Sequence, residues 1–184
     1  MQTIKPDSAI ERVLISEEKL NSAVCALAEK INSDYKDEPL LLVIILKGSL
    51  VFATDLMKHL SMPVTIDFMQ VSSYGSGTAS QGFINIKKDL SVDIKDKNVL
   101  IVEDIIDSGN TLHKLKELLR ERSPKSLRIC TILDKPDRRV TEVKVEYSGI
   151  VIPDEFVVGY GLDYNEYFRN LPYVGVLKRS VYEK

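Results

Sequence analysis

Val99-Leu100-Ile101-Val102-Glu103-Asp104-Ile105-Ile106-Asp107-Ser108-Gly109-Asn110-Thr111-Leu112 decides how this chain folds and where it would hold a ligand. Val99 to Val102 is a short unbroken apolar run, the pattern of a parallel strand covered on both faces by helices. Glu103 and Asp104 then place two charges where that strand is expected to end. Asp107-Ser108-Gly109-Asn110-Thr111 supplies a glycine for a sharp turn, two hydroxyls and an amide, and Leu112, Leu115, Leu118 and Leu119 follow at helical spacing. Backbone N–H groups left free at a helix start, reinforced by the positive end of the dipole, form a cradle for phosphate. Ionised carboxylates only accept hydrogen bonds, so beside such a cradle Glu103 and Asp104 suit the hydroxyls of a ribose or a Mg²⁺ ion. The bland alternative is that Asp107 or Ser108 does no more than cap the helix.

The same strand–turn–helix plan recurs upstream. Ser16 with Glu17 and Glu18 predicts a helix start, and Leu20, Val24, Leu27 and Ile31 repeat on one face. Leu40 to Leu46 reads as a buried strand, Lys47-Gly48-Ser49 as a tight turn, and Leu50, Ala53, Met57 and Leu60 as a second helix that Pro63 ends. Val64, Ile66 and Phe68, then Ile84 and Ile86, alternate as strands do. The segment between them, Ser72 to Gly82, is rich in small residues and suits either a floppy hairpin tip or a mobile lid. Further strands are expected over Leu127 to Leu133, around Val143 to Tyr147, and near Phe156 and Val174. Alternating strands and helices imply a largely parallel sheet with helices on both faces, whose ligands bind beyond the carboxyl ends of the strands. Lys47, Glu103, Lys135 and Asp163 are all expected at such ends.

Bulk properties narrow the function classes. A chain of 184 residues fits a single domain, 1–184. With 25 basic and 27 acidic residues the formal net charge is −2, which points to neither a nucleic-acid nor a membrane partner. The N-terminus lacks an apolar signal core, and the run Leu40 to Leu46 is far short of the ~20 residues a membrane helix needs, so a cytoplasmic protein is expected. Cys25 and Cys130 make no metal or redox spacing and are expected to be reduced packing residues. Neither G-x-x-x-x-G-K-[ST] nor a strand followed by G-x-G-x-x-G occurs, so ATPase and Rossmann dinucleotide readings lose ground.

Val102 to Leu112 resembles the phosphoribosyl pyrophosphate motif of the type I phosphoribosyltransferases. Leu46-Lys47-Gly48, Ser72-Ser73-Tyr74-Gly75, Leu133-Asp134-Lys135-Pro136 and the long segment Phe156 to Arg169 are similar, in order, to the remaining active-site segments of the hypoxanthine-guanine branch. The likeness covers about residues 8 to 180, and the last segment is the most specific. It implies the type I fold, an α/β domain with a small hood and a flexible lid loop that includes Ser73 and Tyr74. It also implies transfer of ribose 5-phosphate from 5-phosphoribosyl 1-pyrophosphate to a 6-oxopurine base in purine salvage, with Mg²⁺ as cofactor.

By that resemblance Asp107 is the catalytic base, and Ser108, Gly109, Asn110 and Thr111 hold the 5′-phosphate. Glu103 and Asp104 bind the ribose hydroxyls directly or through the metal, with Asp163 as a further metal contact. Arg169 and the backbone at Lys47 and Gly48 grip pyrophosphate, a planar, multidentate task that suits arginine. Lys135 donates to the six-position oxygen of hypoxanthine or guanine, Phe156 stacks on the base, and backbone groups at Val157 and Asp163 read its edge. The family often has Thr where this chain has Ser108 and varies at Asn110; both replacements keep hydrogen-bonding capacity. Taken singly, Lys135 could be a solvated loop lysine and Phe156 a plain core residue. Relatives also imply a homodimer or homotetramer.

Two rivals stand beside this reading. A regulator of the same fold would bind phosphoribosyl pyrophosphate, and sometimes RNA, without relying on catalysis; it would need a basic surface, for which Lys135-Pro136-Asp137-Arg138-Arg139 is the candidate patch. A two-component receiver domain would use the acidic cluster but leaves the second glycine-rich segment without a role.

Overall fold

A serine at a helix entry and apolar side chains at helical spacing start the first layer. The computed structural model describes residues 6–73 and 84–183. After a helical turn at Pro6–Ala9 (α1) and a strand at Ile10–Ile15 (β1), Ser16 caps helix Glu17–Tyr35 (α2) by accepting the Lys19 amide at 3.4 Å. Its buried face contains Leu20, Val24, Leu27 and Ile31, the stripe read from the sequence. There follow Leu40–Ile45 (β2), Ser49–Lys58 (α3), Val64–Ser73 (β3), Ile84–Lys88 (β4), Asn98–Ile106 (β5), Asn110–Arg120 (α4) and Ser126–Asp134 (β6). A 3-10 turn at Pro136–Arg138 then leads to Tyr147–Val151 (β7), Val157–Val158 (β8), Val174–Leu177 (β9) and Arg179–Tyr182 (α5).

Six strands form one sheet in the order β4-β3-β2-β5-β6-β7, parallel except for β4. Leu40, Leu42 and Ile44 of β2 pack with α2 and with Phe52 and Leu56 of α3, while Leu41, Val43 and Ile45 pack with Leu112, Leu115 and Leu119 of α4. Burial on both faces explains why β2 and Val99 to Val102 carry no alternation. A second sheet, β1-β9-β8, is antiparallel and has its own small core of Ala9, Val158, Phe168, Leu171 and Leu177. The parallel sheet and the small hood expected from the resemblance are both present.

Several local expectations need correction. The sequence did not announce β1, whose pairing with β9 is broken by register shifts and whose exposed Glu11 and Arg12 interrupt its apolar pattern. The expected strand around Val143 to Tyr147 begins only at Tyr147. Before it, the Lys144 carbonyl and the Glu146 carboxylate accept the Lys116 ammonium at 2.9 and 3.0 Å, and Glu146 also takes the Ile129 amide at 2.9 Å. Those bonds stand in place of a strand ladder. Glu103 and Asp104 lie within β5 rather than beyond it, because β6 continues to pair with β5 as far as Ile106 opposite Asp134. Cys130 is buried, but Cys25 is exposed, with its thiol 4.0 Å from His59 Nε2, and is no core packing residue.

Candidate active site

Gly109 sets the geometry of the helix start. Its φ of +83° lies in the left-handed region, and a Cβ there would overlap the Thr141 carbonyl and the Arg139 side chain. Neither Asp107 nor Ser108 is the N-cap of α4; that position is Gly109. Ser108 Oγ instead accepts the Asn110 amide at 3.4 Å.

At the carboxyl ends of β2 and β5 lies a cavity of about 400 Å³. It brings together Lys47, Gly48, Glu103, Asp104, Asp107, Ser108, Gly109, Thr111, Asp163 and Arg169. Gly48 is required by close approach: a Cβ on it would run into Asp104 Oδ2. The Leu46–Lys47 peptide beside it is cis. Asp163 was expected at the end of a parallel strand, yet it comes from the loop after β8 and so belongs to the hood.

The carboxylates sit in contrasting surroundings. Burial pushes Glu103 well above the usual carboxyl range, helped by the charge of Asp104, and Glu103 Oε2 is buried with no hydrogen-bond partner. Burial also pushes Asp104 up to about 6, against the Ile105 amide, which donates to Oδ1 at 2.7 Å, and the charge of Arg169. The two cations are engaged by neighbours. Lys47 Nζ meets Glu166 Oε2 at 2.7 Å, and Arg169 Nη2 meets Asp163 Oδ1 at 2.7 Å. Arg169 Nη1 donates to Gly161 O at 2.8 Å, while its Nε is buried without a partner.

Among the described residues, the cavity lining leaves out Asn110, Lys135, Phe156 and Val157. The Asn110 side chain turns outward to accept the Thr141 hydroxyl, so it is not aimed at the cradle. Lys135, Phe156 and Val157 form a neighbouring group: Lys135 Nζ donates at 2.6 Å to the carbonyl of Glu155, the residue before Phe156. Lys135 is 8% exposed and no solvated loop lysine. Burial lowers its ammonium below the ordinary value, against the attraction of Asp107 and Asp154. Ser73 closes β3, whereas Tyr74 and the expected lid through Gly82 lie outside the described residues.

Sequence reading missed the brace behind Asp107. Arg138 Nε donates to the Asp107 carboxylate at 3.2 Å. Arg139 Nε donates to the Asp107 carbonyl at 3.0 Å, and its Nη2 to Asp134 Oδ1 at 2.6 Å. The amides of Val140 and Thr141 both donate to Ser108 O at 3.0 Å. The two arginines that could have read as a basic patch are thus turned onto the phosphate loop. Their spacing after Lys135 was visible in the sequence, but their partners were not.

No three Asp, Glu, His or Cys side chains among the described residues converge to hold a metal. Mg²⁺ does not require such a cage, since it takes one or two carboxylates together with water and substrate phosphates. The unpartnered Glu103 Oε2, with Asp104 beside it and Asp163 across the cavity, is a donor set that fits such an ion.

Comparison with known proteins agrees with this geometry. The phosphoribosyl transferase domain family matches residues 15–165. The chain belongs to the phosphoribosyltransferase family. Within that family it is 50% identical, over 176 residues, to a hypoxanthine-guanine phosphoribosyltransferase of Streptococcus pneumoniae, covering 96% of this chain and 98% of the relative. It is 51% identical over 174 residues to the protein of that name from Bacillus subtilis, covering 95% and 97%. A crystal structure of a hypoxanthine phosphoribosyltransferase from Staphylococcus aureus superposes with a TM-score of 0.91 at 49% identity, covering 95% of each chain. Among the described residues of this phosphoribosyltransferase, no helix is long and apolar enough to cross a membrane.

Proposed function

We propose that the chain transfers ribose 5-phosphate from 5-phosphoribosyl 1-pyrophosphate to a ring nitrogen of hypoxanthine or guanine, giving IMP or GMP and pyrophosphate, in purine salvage. The observation that carries this reading is the cavity itself, which sets a buried carboxylate pair between a helix-start cradle and Arg169. The names of its half-identical relatives supply the base.

The roles follow from the chemistry of each group. Amides and hydroxyls of Ser108 to Thr111 hold the 5′-phosphate. Glu103 and Asp104 bind the ribose hydroxyls; burial opposes their ionisation, and a cation or the sugar ring, which becomes electron-poor as its bond to pyrophosphate breaks, favours their charged forms. Arg169 and the backbone at Lys47-Gly48 take the leaving pyrophosphate. Asp107 accepts the proton that the ring nitrogen loses. Lys135 donates to the six-position oxygen, Phe156 stacks on the base, and the backbone of Val157 and Asp163 reads its edge. One or two of the carboxylates of Glu103, Asp104 and Asp163 would hold Mg²⁺ together with water and substrate phosphates, and the ion would supply charge neutralisation of the pyrophosphate.

The regulatory alternative calls for a free basic surface, and Arg138 and Arg139 are engaged with Asp107, Asp154 and Asp134 instead. Self-association to a homodimer or homotetramer and a cytoplasmic location belong to the same proposal. A spectrophotometric assay of hypoxanthine, guanine, xanthine and adenine with phosphoribosyl pyrophosphate, with and without Mg²⁺, tests it. Transfer to the oxopurines that stops on chelation is expected; no transfer to any of the four bases would refute it. Sedimentation of the purified chain checks the assembly.

A further inference from the structure

Phe156, the ring assigned to stacking on the base, already has a partner in this structure. Tyr182 of α5 stacks on it with ring centroids 4.9 Å apart and an interplanar angle of 24°. Tyr164 meets it edge-on, at 5.8 Å and 85°. Phe156 still keeps 39% of its surface exposed, and among the described residues no second ring stacks on it. The segment that carries Tyr182 is fastened to the hood. The Leu177 amide donates to the Phe156 carbonyl at 2.8 Å, the Lys178 amide to Ala9 O at 2.9 Å, and Tyr164 Oη to Val181 O at 3.1 Å.

We propose that Tyr182 is a positioning residue for the base: it backs Phe156 and fixes the plane of that ring, so that the face opposite Tyr182 receives a flat heteroaromatic ligand. The inference rests on the purine reading of the site. Near-parallel offset stacking is a preferred arrangement of aromatic pairs, and a ring held in place beforehand spares the ligand the cost of ordering it. Among the described residues Tyr182 is not part of the cavity that holds the phosphate and pyrophosphate groups. Its influence should therefore fall on one substrate only.

Steady-state kinetics of Tyr182→Ala, Tyr182→Leu and Tyr182→Phe, with Tm measured for each, test the idea. Loss of the flat ring in the Ala and Leu variants is expected to raise KM for hypoxanthine about 3- to 10-fold, the span of an aromatic pair. The KM for phosphoribosyl pyrophosphate and kcat should stay at their parent values, and Tyr182→Phe should restore the parent KM for the base. Calorimetric binding of IMP, which needs no turnover, should weaken by the same factor in the Ala and Leu variants. A base KM that falls in Tyr182→Ala would overturn the proposal by placing Tyr182 in the purine's own seat. Unchanged base KM and IMP affinity in Ala and Leu would overturn it too, as would equal losses for both substrates. If the parent protein transfers nothing to any purine, the proposed activity fails, and the IMP measurements still decide the role of Tyr182.

Discussion

Replacing Arg139 with alanine removes two bonds at once, from Nε to the Asp107 carbonyl at 3.0 Å and from Nη2 to Asp134 Oδ1 at 2.6 Å. The charged partners are 21% and 18% exposed, so the pair is largely shielded from water. Both bonds have the charged guanidinium as donor, and each contributes about 1.5–3 kcal/mol. Asp134 would keep Ser148 Oγ, at 3.2 Å. Water entering the vacated space offsets part of the loss, which leaves about 2–4 kcal/mol and a fall in Tm of roughly 5–15 °C for a chain of this size. The amides of Val140 and Thr141 still hold Ser108 O, so the loop survives, but the Asp107 carbonyl loses its partner while its carboxylate keeps Arg138. We expect KM for phosphoribosyl pyrophosphate to rise about tenfold, equivalent to 1.4 kcal/mol, with KM for hypoxanthine close to the parent value. Arg139→Lys should fall between, because an ammonium lacks the planar fork that serves both partners. Scanning calorimetry and initial rates at varied concentrations of each substrate are the assays. An alanine variant with the parent's Tm and KM would show that this brace carries no weight.

Asp107→Asn keeps the shape of the loop but removes the proton acceptor, so kcat should drop by about 10²–10⁴-fold; parent turnover would take Asp107 out of that role. Lys135→Met deletes the donor to the six-position oxygen and should narrow the preference for hypoxanthine over adenine, read as the ratio of kcat/KM values; an unchanged ratio would mean that another group does the reading. Asp67 supplies a pH test away from the site. Burial pushes its carboxyl up, but the amides of Phe68, Ser91 and Val92 and the charge of Lys88 outweigh that and hold it below the ordinary value. Its contribution to stability is thus complete above an unfolded pKa of about 4 and is lost as pH falls through the lower folded value. In urea titrations the advantage of the parent over Asp67→Asn should be constant near neutrality and shrink below about pH 4; a gap that widens in acid would contradict the sign.

What was legible in the sequence was whatever depends on neighbours along the chain. Ser16, the apolar stripe of α2, the unbroken runs of β2 and β5, and the turn at Gly109 all follow from local spacing, and with them came the cradle and its carboxylates. Contacts between distant segments were not legible. Nothing near Arg139 names Asp107 and Asp134 as its partners, and nothing near Val143 announces that Lys116 would claim the groups of Lys144 and Glu146. Asp163 was placed in the wrong layer for a related reason, since β8 pairs with β9 in the hood and not with the parallel sheet. The exposed Cys25 shows the limit of helical spacing, which locates a buried stripe but not its edges.

The hood joins segments from far apart in the chain: Ile15 of β1 pairs with Val174 of β9, which also pairs with β8. Contacts between residues so distant in sequence are slow to form, whereas strand, turn and helix from Asn98 to Arg120 are nearly local. The folding order is then expected to divide the site in time. The loop that takes the 5′-phosphate can be complete while Asp163, Arg169 and Phe156 still await their layer. A chain caught at that stage would retain a phosphate yet lack Arg169 for the leaving group and Phe156 for the base, so competence for the reaction arrives only with the last pairing.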